Sequence, residues 1–475
     1  MNLKRLFCLV TIVAGLASGG LRAQTQPAQA KLIVENALIL TMAPGARMPV
    51  KGYLVVGQDG RLVTVAAGEP PVALHAAETL DAQGHWVIPG FISAHSHLWQ
   101  SAFRGLAADK TLSGWLTAVY GPAAKATPED FYWFTLDGAL DHLQHGITGA
   151  YNFNYGGGRG KGDVPVAQSF DAIQFRAERD SGIRFVHGVD VGSATELDAA
   201  QPYGAAQARV RLKAFLDWVH AQPATTQLLS VMVNGFVGFS STYRQAVMEK
   251  ALMDEFHLGN EEHYLEAPDD QYEEQSKFRW FLESGLLSRQ VIFGHFIHTN
   301  PYILAETAKA GAAMSWNPLS NGRLASGVAD IPAYLKAGIR VGMGVDGEAS
   351  ADLADPFENM RTGLYAVRDK YEDASVLSAY DVLRLHTLGS ADVLGVADHL
   401  GSLEAGKLAD FLVIDPTRFG PVVDPYASLV FVAGERDLER VYMGGELKVK
   451  DGVLVGQDVA KVKAEVMRRV GALAR

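Results

Sequence analysis

Two histidines stand one residue apart at the end of an apolar run, in the segment "FISAHSHL" at 91–98. Side chains at i and i+2 of an extended strand lie on the same face, so the imidazoles of His95 and His97 can converge on one point. Imidazole nitrogens are the commonest metal ligands in proteins. The pair has two interpretations at this stage: a solvated polar strand end, or half of a metal site.

Other histidines and an aspartate occupy similar positions later in the chain. His263 lies in "EHYLE", His295 lies near the end of "VIFGHF", and Asp346 ends "RVGMGVD". Each segment is typical of a short, largely apolar strand. If these strands close into one barrel, the side chains at their carboxyl ends meet around its axis. That shared placement favours the metal site over the solvated strand end.

The elements that must position these residues alternate regularly from about residue 88. Apolar strand-like runs are separated by helical stretches such as 209–221 and 244–257. Strands are predicted at 87–94, 146–153, 183–190, 228–236, 262–266, 291–296, 312–317 and 340–346. Eight strands with crossovers predict an α/β fold with a (β/α)8 TIM-like barrel over 88–398.

The segments on either side of the barrel have β character. Residues 31–87 alternate short β-type runs with turns, and "GQDG" at 57–60 is a hairpin signal. Residues 399–456 return to the same pattern. We predict that the two segments pair into one small β-sandwich domain, and that a C-terminal helix follows within 457–475.

The first 23 residues have the features of an export signal. Lys4 and Arg5 precede a short apolar run, and small residues follow it near Ala23. The run is too short to span a bilayer as a mature helix. We predict cleavage after Ala23, with Ala30 as the alternative, and a periplasmic or secreted protein that does not bind a membrane once the signal is removed.

Charge and cysteine content exclude several classes of protein. The formal net charge of −11 becomes −14 without residues 1–23, which argues against nucleic acid or an anionic membrane surface as a partner. The one cysteine, Cys8, lies in the predicted signal, so the mature chain has no disulfide and no thiolate. A G-x-S-x-G motif is also absent from the sequence. Histidines and carboxylates must therefore carry any catalysis.

The order of these motifs resembles the amidohydrolase superfamily, in its branch of metal-dependent aminohydrolases that includes triazine hydrolases and purine-type deaminases. The resemblance covers about 31–450. "PGFISAHSHLWQSAFRG" resembles the signature of the first barrel strand, and "HYLEAP" resembles the H-x-x-E of the fifth. "GHFIHT", "NPLSNGRLASG" and "GVDGEAS" resemble the sixth, seventh and eighth strands, and "GSLEAGKLADFLVID" resembles the entry into the C-terminal β-domain.

The resemblance implies roles for particular residues. The implied metal ligands are His95, His97, His263 and Asp346. Glu266 and His295 are the implied acid–base and polarising partners, and Asp346 also accepts the proton of the attacking water. Two-metal members use a lysine on the fourth strand as a bridge, and "LLSVMVNGFVGFSS" has none. We therefore expect one divalent ion, zinc first and iron as the alternative. A homodimer is an expectation at the level of the family.

Several of these residues have alternative interpretations. His257 is the alternative to His263 as ligand, His298 is the alternative to His295, and Glu266 is otherwise a salt-bridge partner. The glycine-rich segment 154–163 fails the spacing of a phosphate-binding loop and is expected to be a loop on the catalytic face.

Aromatic residues along the chain have two interpretations. Those that either line a substrate pocket or belong to the core are Trp99, Phe103, Trp115, Tyr151 and Trp316.

The expected function is that of an exported metal-dependent hydrolase that acts on a small-molecule substrate. It attacks a non-peptide C–N bond with a water that the metal ion activates to hydroxide. Hydrolytic deamination of an aminated heterocycle is the first choice, because H-x-x-E with the sixth-strand histidine suits addition across a C=N bond. The alternative is an amidase or a carbamate- or urea-type hydrolase for a larger amide. A binding protein that has lost catalysis is a third interpretation, against which the complete ligand set argues.

Overall fold

A computed structural model of the chain describes residues 29–156, 165–192 and 203–473. The predicted signal peptide and most of the glycine-rich segment lie outside the described residues. Across the described ranges, none of the helices is both long enough and apolar enough to cross a membrane.

The amino-terminal segment forms strands that precede the barrel. They are β1 (Ala30–Ile39), β2 (Val50–Val56), β3 (Leu62–Ala67), β4 (Ala76–Asp81) and β5 (Trp86–Pro89). The predicted hairpin is confirmed, because β2 and β3 are antiparallel and the Gly60 N–H donates to the Gly57 carbonyl at 3.0 Å.

Eight parallel strands then form the barrel, in chain order around the sheet. They are β6 (Phe91–Ser93), β7 (Ile147–Phe153), β8 (Arg184–Asp190), β9 (Leu228–Gly235), β10 (Gly259–Tyr264), β11 (Val291–His295), β12 (Ala313–Trp316) and β13 (Arg340–Met343). The Ala94 N–H donates to the Met343 carbonyl at 2.9 Å, which joins the first strand to the last. The predicted barrel is therefore confirmed, with each strand within a few residues of its predicted position.

One predicted strand is two strands in the structure. Residues 87–94 were expected to form a single barrel strand, but β5 pairs with β1 and β14 (Phe411–Ile414), outside the barrel, and only β6 pairs with β7. The chain changes sheet at Gly90, where a Cβ would lie 2.2 Å from the hydroxyl oxygen of Thr148. Pro89 before it has no N–H to continue a ladder. The proline–glycine pair thus ends one strand and lets the next begin.

Helices follow each of the barrel strands in the chain, and two more lie in the C-terminal segment. They are α1 (Leu112–Ala123), α2 (Pro128–Gln144), α3 (Phe170–Ser181), α4 (Tyr203–His220), α5 (Arg244–Phe256), α6 (Gln271–Glu283), α7 (Pro301–Ala310), α8 (Pro318–Arg323), α9 (Ile331–Ala337), α10 (Pro356–Tyr371), α11 (Ala379–Arg384), α12 (Ser390–Val393), α13 (Pro425–Phe431) and α14 (Val459–Leu473). Side-chain caps start several of them, as where Asn300 accepts from the N–H of Ile303 at the start of α7. The predicted C-terminal helix corresponds to α14.

The flanking segments meet in a second sheet, as predicted. After β14 come β15 (Leu438–Met443), β16 (Glu446–Lys450) and β17 (Val453–Leu454). Because β14 is antiparallel to β5, the described strands of both segments join one nine-stranded sheet. The expected domain of flanking β segments is thus built around a single continuous hydrogen-bonded sheet.

A buried ion pair links the two sheets, and we expect it to be essential for stability. Arg184, at the start of β8, donates from Nε and Nη2 to the carboxylate of Asp410, at 2.6 and 2.8 Å. Both residues are buried. Asp410→Asn leaves a buried guanidinium without its counter-charge, so we expect the free energy of unfolding to fall by about 3–5 kcal/mol, measured by urea denaturation.

The exposed pair between Lys213 and Asp217 provides the control for this prediction. Lys213→Ala should change the free energy of unfolding by less than about 1 kcal/mol. An Asp410→Asn variant as stable as Lys213→Ala would show that the buried pair does not hold the two sheets together.

Candidate metal centre

The structure brings the predicted ligands together at the carboxyl ends of the barrel strands. His95 and His97 follow β6, His263 lies in β10, and His295 ends β11. Asp346 follows β13. The donor atoms form two overlapping groups, each with all members within 4.8 Å of one another. One group is His95, His263 and His295, and the other is His95, His97 and Asp346.

Hydrogen bonds to the far ring nitrogens orient the first two histidines. The Nδ1 of His97 lies 3.2 Å from the Phe153 carbonyl, and the Nδ1 of His95 lies 2.5 Å from an oxygen of Glu261. Both Nε2 atoms are thereby directed at the centre of the barrel. The Nε2 of His97 lies 3.1 Å from the Nε2 of His263.

Asp346 reaches the same point from the last barrel strand. Its Oδ1 lies 3.5 Å from the Nε2 of His95 and 3.4 Å from the Nε2 of His97. Its backbone has a φ of +61°, a conformation that non-glycine residues rarely adopt, and its N–H donates to the His95 carbonyl at 3.0 Å. Such backbone strain is found at sites where the surrounding structure fixes a functional side chain.

His295 and Glu266 lie on the other side of the centre. The Nε2 of His295 is 3.7 Å from Glu266 Oε2 and 3.8 Å from Asp346 Oδ2. The His295 Nδ1–H donates to Asn321 Oδ1 at 2.8 Å, which leaves Nε2 free to face the centre. Asn321 lies in the segment "NPLSNGRLASG", and the sequence analysis predicts no role for it.

Burial and mutual repulsion keep two of the histidines neutral. Burial lowers the pKa of His97 to about 3 and lowers the pKa of His263 well below its usual range, with a further contribution from the neighbouring imidazoles. Burial also lowers the pKa of His95, but Glu261 and Asp346 outweigh it and raise that pKa to about 10. The pKa of Asp346 is held well below its usual range, because the histidines outweigh the effect of burial.

These donors fit a divalent metal ion. The Nε2 of His95 is buried and has no hydrogen-bond partner among the described residues, although it faces the nitrogen and oxygen atoms of the other donors. A buried polar atom without a hydrogen-bond partner is rare, and a bound metal ion would supply the missing partner. Imidazole nitrogens and a carboxylate oxygen are donor groups that zinc binds in proteins. The residues that would hold the ion are His95, His97, His263 and Asp346, with His295 within reach.

Glu261 is a functional candidate that the sequence did not reveal. It lies two residues before His263 on the same strand, so both side chains point to the same side, and its contact with His95 is fully buried. The acidic run "EEHYLE" was the available signal. A carboxylate behind a metal-binding imidazole fixes the ring and raises its basicity.

Removal of this carboxylate should weaken metal binding. We expect Glu261→Gln to lower the affinity for Zn²⁺ about 10–100-fold, measured by competition with a chromophoric chelator. Glu283→Gln, an exposed glutamate at the end of α6, is the matched control. If Glu261→Gln had an unchanged affinity for Zn²⁺, the contact between Glu261 and His95 would not contribute to metal binding.

The alternative histidines lie away from the centre. His257 is exposed at the C-terminus of α5, where its backbone is left-handed. The Nε2 of His298 lies 2.7 Å from the Ser326 carbonyl. Neither residue belongs to the two donor groups. Of the aromatic candidates, only Trp115 lines the cavity beside the centre, whereas Trp99, Phe103, Tyr151 and Trp316 are packed in the core.

A larger cavity lies at the opposite end of the barrel. It measures about 490 Å³ and lies between the barrel and the flanking sheet. Among its cations, Lys31 and Lys448 both contact Glu446, and Arg184 is paired with Asp410.

The chain matches one family over most of its length. The sequence model of the Amidohydrolase family matches residues 86–448. A 5-methylthioadenosine/S-adenosylhomocysteine deaminase of Bacillus cereus is 28% identical over 451 residues, which cover 91% of this chain and 97% of the relative. The enzyme of the same name from Desulforudis audaxviator is 29% identical over 448 residues, which cover 92% and 97%.

Solved structures of similar fold include an adenosine deaminase from Xanthomonas campestris with bound zinc. It superposes with a TM-score of 0.79 at 23% identity and covers 94% of this chain and 99% of its own. The atrazine chlorohydrolase TrzN from Arthrobacter aurescens, complexed with zinc, gives a TM-score of 0.78 at 22% identity and covers 92% and 100%. These similarities confirm the barrel with its flanking sheet.

Proposed function

The chain belongs to the amidohydrolase family, and on that premise we propose that it is a zinc-dependent deaminase of aminated heterocycles. The observation that carries the proposal is the convergence of His95, His97, His263 and Asp346 on one point, with Glu266 and His295 beside it. The names of the similar deaminases support a purine-type ring as substrate.

The reaction replaces a ring amino group by oxygen. Water adds its oxygen to the ring carbon that carries the amino group, the C–N bond breaks, and ammonia leaves. When bound, a divalent ion at this site would lower the pKa of a water molecule from its bulk value toward about 7. Side chains of this chain transfer the protons and orient the water.

Two carboxyl groups with opposite tendencies provide the proton transfers. Burial raises the pKa of Glu266, so that its carboxyl group can be protonated and donate to a ring nitrogen. The histidines hold the pKa of Asp346 low, so its side chain is an ionised carboxylate, the form that can accept a proton from the attacking water. His295, oriented by Asn321, presents Nε2 to the same space and can hold the water or the new oxygen.

Product analysis tests the proposal directly. Residues 24–475 are purified, loaded with Zn²⁺ and incubated with a panel of amino-heterocycles and aryl amides, and the products are identified by mass spectrometry. Exchange of NH for O with release of ammonia is the expected result. Scission of an amide into two fragments would replace the deaminase by the amidase alternative.

Export is a further part of the proposal. The charged start, short apolar run and small residues of 1–23 support cleavage after Ala23. Fractionation of cells that express the full chain, followed by N-terminal sequencing, should find the chain outside the cytoplasm, beginning at Gln24. A chain that begins at Lys31 would favour the alternative site, and an uncleaved cytoplasmic chain would contradict export.

A further inference from the structure

His97 is held by two consecutive residues of the second barrel strand, β7. Its Nδ1–H donates to the Phe153 carbonyl at 3.2 Å. The Phe153 N–H donates to the carbonyl of Ser96, just before His97, at 2.7 Å. The N–H of Leu98, just after it, donates to Oδ1 of Asn152 at 3.0 Å. The ring of His97 and the peptide groups on both sides of it are therefore fixed from β7.

The bond from Leu98 to Asn152 lies at the start of a short helix. A 3₁₀-helix spans Leu98–Phe103, and the side chain of its N-cap residue, His97, makes no capping hydrogen bond. The first N–H groups of a helix have no partner within it, and buried ones find a partner elsewhere. Asn152 supplies that partner from a different strand.

A carboxylate in α3 orients the carboxamide of Asn152. The Nδ2 of Asn152 donates to Glu178 Oε1 at 2.6 Å. Because a carboxylate accepts hydrogen bonds and does not donate them, it directs the amide nitrogen toward α3 and leaves Oδ1 facing Leu98. The same nitrogen also donates to Asn154 Oδ1 at 2.7 Å. The acceptor that holds Leu98 thus depends on Glu178.

The second oxygen of Glu178 contacts a histidine outside the metal centre. The Nδ1–H of His187, in β8, donates to Glu178 Oε2 at 2.7 Å, and both residues are fully buried. The ring of His187 stacks on Phe215, with centroids 4.9 Å apart and an angle of 23° between the planes. The carboxylate is therefore fixed at both oxygens.

These polar residues lie in the layer between the barrel and its helices. Tyr151 and Phe153 belong to a buried apolar cluster, so Asn152 between them points the opposite way, toward α3. Apolar side chains normally fill this layer in a parallel sheet. Burying a carboxylate, an imidazole and carboxamides is costly, and apolar residues of similar volume often give equal stability. Stability alone therefore does not account for the network.

We infer that Glu178 and Asn152 are positioning residues for the metal centre, and that they act by fixing the backbone after His97. Glu178 does not line the cavity and acts through Asn152 and the Leu98 N–H. This inference rests on the proposed function, whose metal centre it concerns. It goes further, because neither Asn152 nor Glu178 lies in a motif that predicted the site.

Exchanging the acceptor and the donor between these two side chains tests the inference. Asn152→Asp keeps an acceptor for the Leu98 N–H but puts a second carboxylate against that of Glu178. We expect the affinity for Zn²⁺ to fall about 10–100-fold, measured by competition with a chromophoric chelator.

The double variant with Glu178→Gln should restore part of this affinity. The introduced carboxamide can donate to the new carboxylate and accept from the Nδ1–H of His187. We expect the affinity to rise at least about fivefold above that of Asn152→Asp. The recovery is incomplete because Asn154 Oδ1 still faces the new carboxylate.

Two further variants separate positioning from folding. Asn300→Asp is the matched control, because Asn300 also accepts a backbone N–H, that of Ile303 at 2.9 Å, and its zinc affinity should stay within about twofold since aspartate caps a helix equally well. Asn152→Ala adds no charge and should lower the affinity about tenfold. The Tm of every variant is measured alongside, so that zinc affinity is compared between folded chains.

Unchanged zinc affinity in folded Asn152→Asp and Asn152→Ala would overturn the inference. A double variant that binds zinc as weakly as Asn152→Asp would also overturn it, and a lower Tm with normal affinity would make the network purely structural. An unaltered chain that binds zinc but deaminates no compound would refute only the proposed reaction. An unaltered chain that binds no zinc would refute the metal centre and this inference together.

Discussion

Replacing His263 by alanine is expected to remove both the metal and the activity. His263 contributes a neutral imidazole to the centre, 3.1 Å from the Nε2 of His97, and belongs to one of the two donor groups. A divalent ion contributes several kcal/mol to hydrolysis, and each 1.4 kcal/mol is a factor of ten in rate. We therefore expect kcat/KM to fall at least about 10³-fold, together with loss of bound zinc measured by plasma mass spectrometry after dialysis.

His257→Ala is the matched control for this experiment. It removes the same side chain six residues earlier, from an exposed position at the end of α5. Zinc content and activity should both remain. A His263→Ala variant that keeps its zinc would assign the ligand role elsewhere, and one that loses zinc but keeps its activity would contradict metal-dependent hydrolysis.

The fold could be predicted because its buried parallel strands are short apolar runs separated by helices. The apolar run before His95 could not be assigned correctly from its local pattern. Trp86–Pro89 and Phe91–Ser93 are equally apolar, but one joins the flanking sheet and the other the barrel. That choice is decided by β14, more than 300 residues away, and by the space beside Thr148. Neither is visible in the local pattern.

The same limit applies to the site. His95, His97, His263 and Asp346 stand in motifs that can be read locally, and the barrel brings them together. Glu261 contacts His95 across 166 residues, and its importance follows only from that contact.

Residues that orient the candidate metal ligands were harder to predict than the ligands themselves. Asn321 orients His295 from the helix after the seventh barrel strand. Sequence motifs thus predict the candidate metal ligands, whereas the residues that orient those ligands can be identified only from the packing of the folded chain.

Glu266→Gln is expected to separate proton transfer from metal binding. The substituted carboxamide would have nearly the same shape but no acidic proton, and Glu266 lies 3.7 Å from the Nε2 of His295 without belonging to either donor group. A positioned general acid contributes about 10²–10⁴ to the rate, so we expect kcat to fall by that factor. Zinc content should remain within about twofold of the original, because Glu266 belongs to neither donor group.

Zinc content and kcat, measured together, decide the role of Glu266. Glu283→Gln makes the same chemical change at an exposed position and should retain full kcat. If Glu266→Gln lost zinc along with activity, the carboxylate would be holding the centre together. If kcat were unchanged, Glu266 would not be the proton donor, and Asp346 with His295 would have to move every proton. A large loss of kcat with zinc retained would identify Glu266 as the general acid. Glu266 lies three residues after His263, just beyond the end of β10.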